Sequence, residues 1–315
     1  MTTLEMTTLL KRWIILSLLP SITCFTFLTS RRTAMSTITR YPSSSSFNTI
    51  IISMSTKSKD ILFDTPVSNH GARIRMIIRS KGIEEYVDIK QPSDIGGLKS
   101  PAYLKLNPQG KMPLLLCEPN LYPIPESDCI ARYLLDKYRD YEPSFIPSQL
   151  MQQSLCNQIC RFVDLYISPV QGSMYKAAGT PFSIYGTNRS GGLEELKKQL
   201  HVLEHLLTTF EQYHHPQLSS VGARYLCGDD ISLADATLYP TIVFCVFMLP
   251  QFFGWDVSDF LGPKLYQWWS FMNTEVSSAI EVRKEMEIAL NGWKDNGRFN
   301  PIMMEIQAST EAKLQ

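Results

Sequence analysis

The 315-residue chain has few features of redox, metal or nucleic-acid chemistry. Its seven cysteines include no C-x-x-C pair and no regular spacing, so a disulfide framework is not predicted and a reduced compartment is favoured. Among five histidines, only His201 and His205 have a metal-like i, i+4 spacing, and they face away from the apolar stripe of their predicted helix. The formal net charge is zero without a basic stripe. We therefore expect no metal and no nucleic-acid partner.

What the chain does have is an ordinary enzyme composition, with 44% hydrophobic and 19% charged residues. This length and composition predict two domains with a large core, plus an extension. The zero net charge conceals an uneven distribution: residues 1–59 hold seven basic residues and one acid, Glu5, which leaves 23 basic against 29 acidic residues in the remainder.

Residues 1–58 are predicted to be a targeting or disordered extension. An apolar stretch over 13–28 is interrupted by Pro20, and is too short and broken to predict a stable membrane span. A segment without Asp or Glu follows. The two segments together resemble a signal-peptide core joined to an organelle transit peptide. A bipartite plastid leader is the first interpretation. The alternatives are a mitochondrial or single-step plastid leader, or a cytoplasmic protein whose translation starts at Met35 or Met54.

The most informative stretch runs from residue 107 to residue 116 and contains Gln109, Lys111, Met112 and Pro113. A proline that opens an apolar run cannot donate to a sheet ladder, so it belongs at an edge or at a turn entering a strand. If its peptide bond is cis, the backbone of Met112 turns outward and can pair with an extended ligand. This pattern indicates recognition of a peptide by main-chain groups.

Glu126 and Ser127 stand where a short strand-like segment meets an amphipathic run containing Ile130, Tyr133 and Leu134. Ser127 is expected at or near a helix N-terminus, where free N–H groups attract a carboxylate, and Glu126 can accept from an ammonium group. The pair fits the head group of an α-amino acid, and ordinary helix capping is the alternative.

Ser68 precedes a further predicted helix that ends at Gly82, after a short strand candidate at residues 61–63. A hydroxyl at this position can donate to a bound thiolate, and the helix N-terminus stabilises the same charge. Ordinary capping by Ser68 or Asn69 is the alternative.

These three segments resemble the soluble glutathione transferases of the serine type, from about residue 59 to about residue 291. The serine-to-arginine spacing from Ser68 to Arg73, the loop ending in Pro113 and the Glu126-Ser127 pair occur in the family's order. The resemblance implies a thioredoxin-like α/β domain over 59–139, a linker over 140–147, an all-α domain over 148–291 and a C-terminal tail over 292–315.

The resemblance also implies a role for each site residue. Ser68 would stabilise the glutathione thiolate, Met112 next to Pro113 would pair with the cysteinyl backbone, and Glu126 with Ser127 would bind the γ-glutamyl end. Lys111 and Gln109 would reach the glycyl carboxylate. No cysteine stands near Ser68, which disfavours thiol–disulfide exchange.

The second substrate is predicted to be an electrophilic hydrophobic molecule. His70, Tyr166, Met174 and Tyr175 are candidate lining residues, although the same spacing is typical of core packing. Glutathione is the expected co-substrate, and the resemblance implies a homodimer. Two alternatives stay open: glutathione-dependent isomerisation or peroxide reduction at the same site, and a non-catalytic ligand carrier or protein-docking module.

In the second half of the chain, Ser232 and Asp235 form a capping-box pattern just before an apolar run. The pattern predicts the start of a buried helix, so we interpret both residues as folding residues outside the active site. Residues 179–192, rich in Gly, Ser and Thr, are predicted to form a long interhelical loop.

Overall fold

The computed structural model describes residues 59–177, 189–214 and 224–314. The first part is a four-stranded mixed sheet with three helices, and the second part is all-helical. The predicted fold class, a thioredoxin-like α/β domain followed by an all-α domain, is confirmed.

The sheet has the strand order β2-β1-β3-β4. Its strands are β1 (Asp60–Phe63), β2 (Val87–Lys90), β3 (Leu114–Cys117) and β4 (Tyr122–Pro125), and its helices are α1 (Asn69–Ser80), α2 (Pro101–Leu106) and α3 (Ser127–Lys137). Strands β1 and β2 are parallel, whereas β3 is antiparallel to both β1 and β4.

Strand β3 reads Leu-Leu-Leu-Cys because both of its faces are covered. Since successive side chains point to opposite faces, Leu115 joins the core shared with α1 and α3. Leu114 and Leu116 pack on the other face with Phe63 and Tyr103, beneath α2. A continuous apolar strand is the expected sequence for a sheet buried on two sides.

The helical part contains α4 (Leu150–Phe162), α5 (Arg189–His214), α6 (Leu233–Phe253), α7 (Pro263–Glu275), α8 (Ser277–Asp295) and α9 (Asn300–Leu314). Helix α4 continues into a π-helical turn, Val163–Ile167, and a 3₁₀ turn, Gln171–Met174, follows. Helix α1 packs against both α6 and α8, so the end of β1 lies near the helical part.

Helix α6 is the core of the helical part, and the capping box predicted for it is confirmed. The Ser232 hydroxyl and backbone N–H donate to Asp235 Oδ2 at 2.7 and 2.8 Å, and both residues are fully buried. By length and composition alone α6 could cross a membrane, but 89% of its most apolar window is buried inside the fold. This burial is typical of a central core helix.

Two expectations from the sequence need correction. Gly191 and Gly192, predicted to belong to a loop, lie in the first turn of α5, while residues 179–188 of that loop lie outside the described residues. The stretch predicted as a C-terminal tail contains the end of α8 and the whole of α9, and Phe299 and Ile302 are buried in the core. The apolar contacts of these two residues hold this last segment together with an ion pair between Glu305 and Arg189 at 2.7 Å, and no periodic sequence pattern signals either contact.

The histidine pair of α5 is exposed, as its spacing predicted, and two cysteines of α4 lie in the core. Cys156 and Cys160 are buried in the core of the helical part, and His201 and His205 are exposed on α5. Within the described ranges, no group of three or more His, Cys, Asp or Glu side chains could hold a metal ion. The predicted leader, residues 1–58, lies outside the described residues.

Candidate active site

Ser68 is the N-cap of α1, at the end of the loop that follows β1. Its backbone is extended, and its Oγ accepts a hydrogen bond from the Gly71 backbone N–H at 3.0 Å. Ser68 is half-buried. The cap satisfies one of the free N–H groups of the first turn and keeps the hydroxyl close to the positive end of the helix dipole.

A buried acid, Asp64, lies behind this cap. It is 1% exposed and forms an ion pair through Oδ2 with Arg75, which is also buried. Arg75 donates further to the carbonyl oxygens of Thr65 and Pro66, at 3.1 and 2.8 Å, and to Glu285 on α8 at 3.1 Å. Arg75 therefore fixes the β1–α1 loop to the first helix and to the helical part.

The loop before β3 supplies the second part of the site. The Met112–Pro113 peptide bond is cis, and Pro113 is buried immediately before the strand. The carbonyl of Lys111 accepts from Tyr103 Oη and Asn107 Nδ2, each at 2.8 Å, which fixes the backbone just ahead of Met112. The Lys111 side chain itself is exposed, as is that of Gln109.

The loop before β3 and the β1–α1 loop meet at one contact. Thr65 Oγ1 lies 3.6 Å from Met112 Sδ. Ser68 and the backbone of Met112 therefore belong to neighbouring loops, although 44 positions separate them in the sequence.

The third part of the site is the start of α3. Glu126 is the N-cap residue and Ser127 is the first helical residue, so the sequence expectation placed this helix start correctly. Glu126 is exposed and has φ 70° with ψ 116°, a conformation that non-glycine residues rarely adopt. Such a strained backbone costs roughly 1–3 kcal/mol and is concentrated at ligand sites. Ser127 is only 7% exposed.

His70 connects the first and third parts. Its Nδ1 lies 3.5 Å from Ser127 Oγ, so it lies beside the helix start predicted to bind an amino-acid head group. Burial, followed by the positive charges of Arg73 and Lys111, lowers the pKa of His70 from 6.5 to about 4, while Asp164 opposes this shift. His70 is therefore neutral at pH 7.

Helix α1 also joins the site to the helical part. Arg73 is 1% exposed and forms a two-pronged ion pair with Asp164, at 2.6 and 3.3 Å, in the π-helical turn after α4. Asn69, next to Ser68, donates to Gln171 at 2.8 Å and to Thr241 at 3.1 Å. These contacts fix the N-terminus of α1 from two sides.

The other candidate lining residues occupy different environments. Tyr166 is 39% exposed and packs on Phe162, with 5.1 Å between ring centroids. Tyr175 is partly buried against Phe244, whereas Met174 is fully buried in the core. Of these three, Tyr166 presents the most surface to a ligand.

An open crevice of about 570 Å³ adjoins the β1–α1 loop. Its walls come from the β1–α1 loop, α1, the end of β2 and α8, and its lining residues are Asp64, Thr65, Pro66, Arg75, Arg79, Ile89, Lys90, Gln91, Glu285, Ile288 and Ala289. Ile89 and Ile288 are exposed large hydrophobic side chains, at 47% and 73%. Arg75 and Arg79 are ion-paired with the lining acids, so the crevice combines apolar surface with the exposed positive charge of Lys90.

Two family models match the chain in tandem. The model for the glutathione S-transferase N-terminal domain matches residues 62–143, and the model for the glutathione S-transferase C-terminal domain matches residues 176–275. Together they span more than half of the chain. The chain belongs to the glutathione S-transferase superfamily. The superfamily membership that the resemblance implied is confirmed.

Curated members of the superfamily cover most of this glutathione S-transferase. It is 24% identical over 255 residues to glutathione S-transferase D7 of Drosophila melanogaster, a match that spans 81% of this chain and 97% of the relative. It is 27% identical over 212 residues to glutathione S-transferase 1 of Dianthus caryophyllus, covering 66% and 86% of the two chains.

Solved structures agree on the fold. The glutathione transferase URE2P5 of Phanerochaete chrysosporium superposes with a TM-score of 0.57 at 22% identity, over 75% of this chain and 98% of the other. Ure2p in complex with glutathione superposes with a TM-score of 0.55 at 18% identity, over 71% and 98%. At this identity the likeness establishes the transferase fold only.

Sequence reasoning missed the charged groups beneath the site. Asp64 follows a strand candidate and no local pattern marks it. Arg73 pairs with Asp164, 91 positions away, and Arg75 pairs with Glu285, 210 positions away, as well as with Asp64. The one local signal was Gly71, since a Cβ atom there would lie 1.8 Å from Asp64 Oδ1. The glycine in the first turn of α1 thus indicates that another side chain, that of Asp64, packs against this turn.

Proposed function

We propose that this glutathione S-transferase binds reduced glutathione, stabilises its thiolate with the Ser68 hydroxyl and directs the sulfur at an electrophilic carbon. The observation that carries the proposal is the position of Ser68 as the half-buried N-cap of α1, in a loop that contacts the loop of Met112. A hydroxyl donor and a helix N-terminus together favour a negative charge at the same place.

Glutathione would bind across the three parts of the site. Its cysteinyl backbone pairs with the main chain of Met112 before Pro113, in the manner of an added strand. Its γ-glutamyl carboxylate meets the N-terminus of α3 at Ser127, and its ammonium group meets Glu126. Lys111, and Gln109 beside it, supply the exposed polar groups for the glycyl carboxylate. The strained backbone of Glu126 supports a ligand-binding role for that residue.

The rate would come from two effects. Lowering the pKa of a thiol by two units from about 8.5 needs only about 2.7 kcal/mol of differential stabilisation, and makes the thiolate the main form at pH 7. Binding both substrates in one site then replaces a bimolecular encounter by an oriented one. No protein–substrate covalent bond is required, because the sulfur of glutathione is the nucleophile.

The electrophile would bind in the crevice beside Thr65 and Pro66. This placement is supported by the contact between Thr65 and Met112, which brings one wall of the crevice to the predicted glutathione loop. Ile89 and Ile288 offer apolar surface, and Lys90 offers an exposed positive charge. The crevice fits a hydrophobic electrophile that carries a negative group. His70 and Tyr166 remain candidates for contacts on the helical side.

Replacing Ser68 by Ala tests the proposal. Turnover with a general electrophile should fall by at least ten-fold at pH 7, because the thiolate loses its hydroxyl donor, while the dissociation constant for glutathione changes little. Ser100→Ala is the matched control, since Ser100 caps α2 in the same way by accepting from the Tyr103 N–H at 3.1 Å. Turnover of Ser68→Ala that equals wild type would remove Ser68 from the mechanism.

Two other functions use the same residues. Glutathione-dependent isomerisation or peroxide reduction would employ the same thiolate on another partner, and a panel of isomerisable alkenes and organic peroxides would reveal it. A non-catalytic carrier or docking module would keep the pocket without the activated thiolate. Binding of glutathione without any thiolate would favour that class.

We propose in addition that residues 1–58 direct the chain to an organelle, a plastid first and a mitochondrion second, and that the enzyme is a homodimer. A fluorescent protein fused to residues 1–58 tests the first statement, and diffuse cytoplasmic signal would oppose it. Light scattering on the purified protein tests the second, and a monomer mass would oppose it.

A further inference from the structure

His70 borders each of the three segments that form the candidate site. It is the second residue of α1, shortly after the N-cap Ser68, and its Nδ1 lies 3.5 Å from Ser127 Oγ at the start of α3. The charge of Lys111, in the loop before β3, also acts on its ring. The ring is half-buried, so part of it faces the site.

The hydroxyl of Ser127 is almost free of other contacts. Ser127 is 7% exposed, and among the described residues only His70 Nδ1 lies within hydrogen-bond distance of its Oγ. The first backbone hydrogen bond of α3 runs from the Ile130 N–H to the Glu126 carbonyl. The N–H groups of the first turn therefore have no partner within the helix, and together with this hydroxyl they can hold a carboxylate.

A bound carboxylate would fix the direction of the contact between His70 and Ser127. A hydroxyl has one hydrogen to donate, whereas a carboxylate can only accept, so the hydrogen of Ser127 goes to the carboxylate. Ser127 Oγ then meets His70 as an acceptor, which requires the ring hydrogen on Nδ1. With the ring hydrogen on Nε2, Nδ1 would instead compete with the carboxylate for the hydrogen of Ser127.

The ring can adopt this form because it is neutral and its tautomer is not fixed elsewhere. Burial, followed by the positive charges of Arg73 and Lys111, lowers the pKa of His70 to about 4, against Asp164. No hydrogen-bond partner lies at Nε2 in the part of the chain that the structure describes. A distance of 3.5 Å is long for a hydrogen bond, but such contacts in binding sites often shorten in the complex.

We infer that His70 is a positioning residue for glutathione, whose Nδ1–H donates to Ser127 Oγ and so directs the Ser127 hydroxyl at the γ-glutamyl carboxylate. The inference rests on the proposed binding of this carboxylate at the start of α3 and adds the residue that orients its donor. No proton is transferred. A contact between Nε2 and the electrophile is compatible with this role.

Two analogues of glutathione isolate the carboxylate. 4-Aminobutanoyl-cysteinylglycine lacks the α-carboxylate of the γ-glutamyl group and keeps the ammonium, whereas glutaryl-cysteinylglycine keeps the carboxylate and lacks the ammonium. Calorimetric titration of the full-length protein gives the dissociation constant of each ligand. The wild type should bind the aminobutanoyl analogue roughly ten-fold more weakly than glutathione, because charge-assisted hydrogen bonds are lost.

His70→Phe keeps a planar ring and removes the donor. The dissociation constants of glutathione and of the glutaryl analogue should rise roughly five-fold, and that of the aminobutanoyl analogue by less than about two-fold. His70→Asn places an amide N–H near the position of Nδ1 and should restore most of the affinity. His201→Phe is the matched control, because it makes the same substitution at an exposed histidine of α5 and should change none of the three constants.

The effect should also depend on the Ser127 hydroxyl. In Ser127→Ala, the added change His70→Phe should alter glutathione affinity by less than about two-fold, since no hydroxyl is left to orient. A merely structural role of His70 would weaken all three ligands equally and would persist in Ser127→Ala, and either result would overturn the inference.

The tautomer provides a test in the wild type, even if His70→Phe does not fold. Nitrogen-15 NMR of histidine-labelled protein, with the His70 signals identified by their loss in His70→Asn, should show the Nδ1–H form when glutathione is bound. The Nε2–H form in the complex would overturn the inference.

The wild-type affinities separate this inference from the proposed function. If the wild type bound glutathione and the aminobutanoyl analogue equally well, the carboxylate would not bind at α3, and the proposed glutathione-binding mode would fail with the inference. If the wild type and His70→Phe discriminated between them equally, only the inference would fail.

Discussion

At the scale of single residues, the site is built from side chains that also serve the local backbone. Ser68 caps α1, Ser127 opens α3 and Glu126 occupies the strained position before it. Because capping residues and a serine-to-arginine spacing are visible in sequence, these positions could be predicted. The burial of Asp64 could not, since it depends on Arg75 and on Glu285, which is more than 200 positions away.

Glu126 allows a test of whether its strained backbone is retained because the side chain binds glutathione. Glycine adopts φ near 70° without a Cβ penalty, so Glu126→Gly should leave the free energy of unfolding unchanged or raise it by up to about 1 kcal/mol. Glutathione affinity should fall by roughly ten-fold or more, because one charge-assisted contact is lost. Chemical denaturation and calorimetric titration measure the two effects.

Leu121 is the matched control for this substitution, since it has φ 52° and is exposed in the turn between β3 and β4. Leu121→Gly should relieve comparable strain without any effect on glutathione affinity. If Glu126→Gly bound glutathione as tightly as the wild type, Glu126 would have no role in the site.

At the scale of elements, α6 shows which part of a fold a local pattern can predict. The capping-box pattern predicted where the helix starts, and the apolar run predicted that the helix is buried. The partners of the box were not visible in sequence: Asp235 Oδ1 also accepts from Trp268 Nε1 at 2.8 Å and from the Leu226 N–H at 2.9 Å. These contacts tie α6 to α7 and to the turn before it.

Asp235→Asn should therefore destabilise the protein by roughly 3 kcal/mol, because an amide nitrogen would replace an acceptor among buried donors. Turnover per folded molecule should stay near that of the wild type. Asp259→Asn is the control, since Asp259 accepts in a similar capping box at 2.7 Å but is exposed. A loss of stability as small as that of the control would contradict the assigned folding role.

At the scale of the whole molecule, α1 connects the candidate active site to the helical part. It carries Ser68 at its start, and Arg73 connects it to Asp164 in the helical part. The sequence predicted both parts but not how they meet, because long-range ion pairs have no local pattern. Helix α9 was missed for a related reason. Phe299, just before the helix, and Ile302 in its first turn are buried in the core, and Glu305 is ion-paired with Arg189, 116 positions away on α5.

Two titratable groups near the start of α1, His70 and Asp64, should change the free energy of unfolding in opposite directions as the pH changes. The pKa of His70 is lowered to about 4 from 6.5, so the unfolded chain binds the extra proton and stability is lost as pH falls through this window. The pKa of Asp64 is raised from 3.8 to about 6, so the folded protein holds the extra proton and stability falls as pH rises through that window.

His70→Gln removes the first of these contributions. Relative to the variant, the wild type should lose up to roughly 3 kcal/mol of stability between pH 6.5 and pH 4, and nothing above pH 6.5. Urea denaturation at a series of pH values measures the difference. A difference that does not vary with pH would show that His70 is not buried as a neutral group.

Bound glutathione should ionise beside Ser68, and one titration measures this. Ultraviolet difference absorbance of glutathione bound to the purified full-length protein gives the pKa of the bound thiol. We expect a value at least one to two units below the free thiol's pKa of about 8.5, and a return toward 8.5 in Ser68→Ala. A bound thiol that titrates like free glutathione in the wild type would show that Ser68 does not stabilise the thiolate.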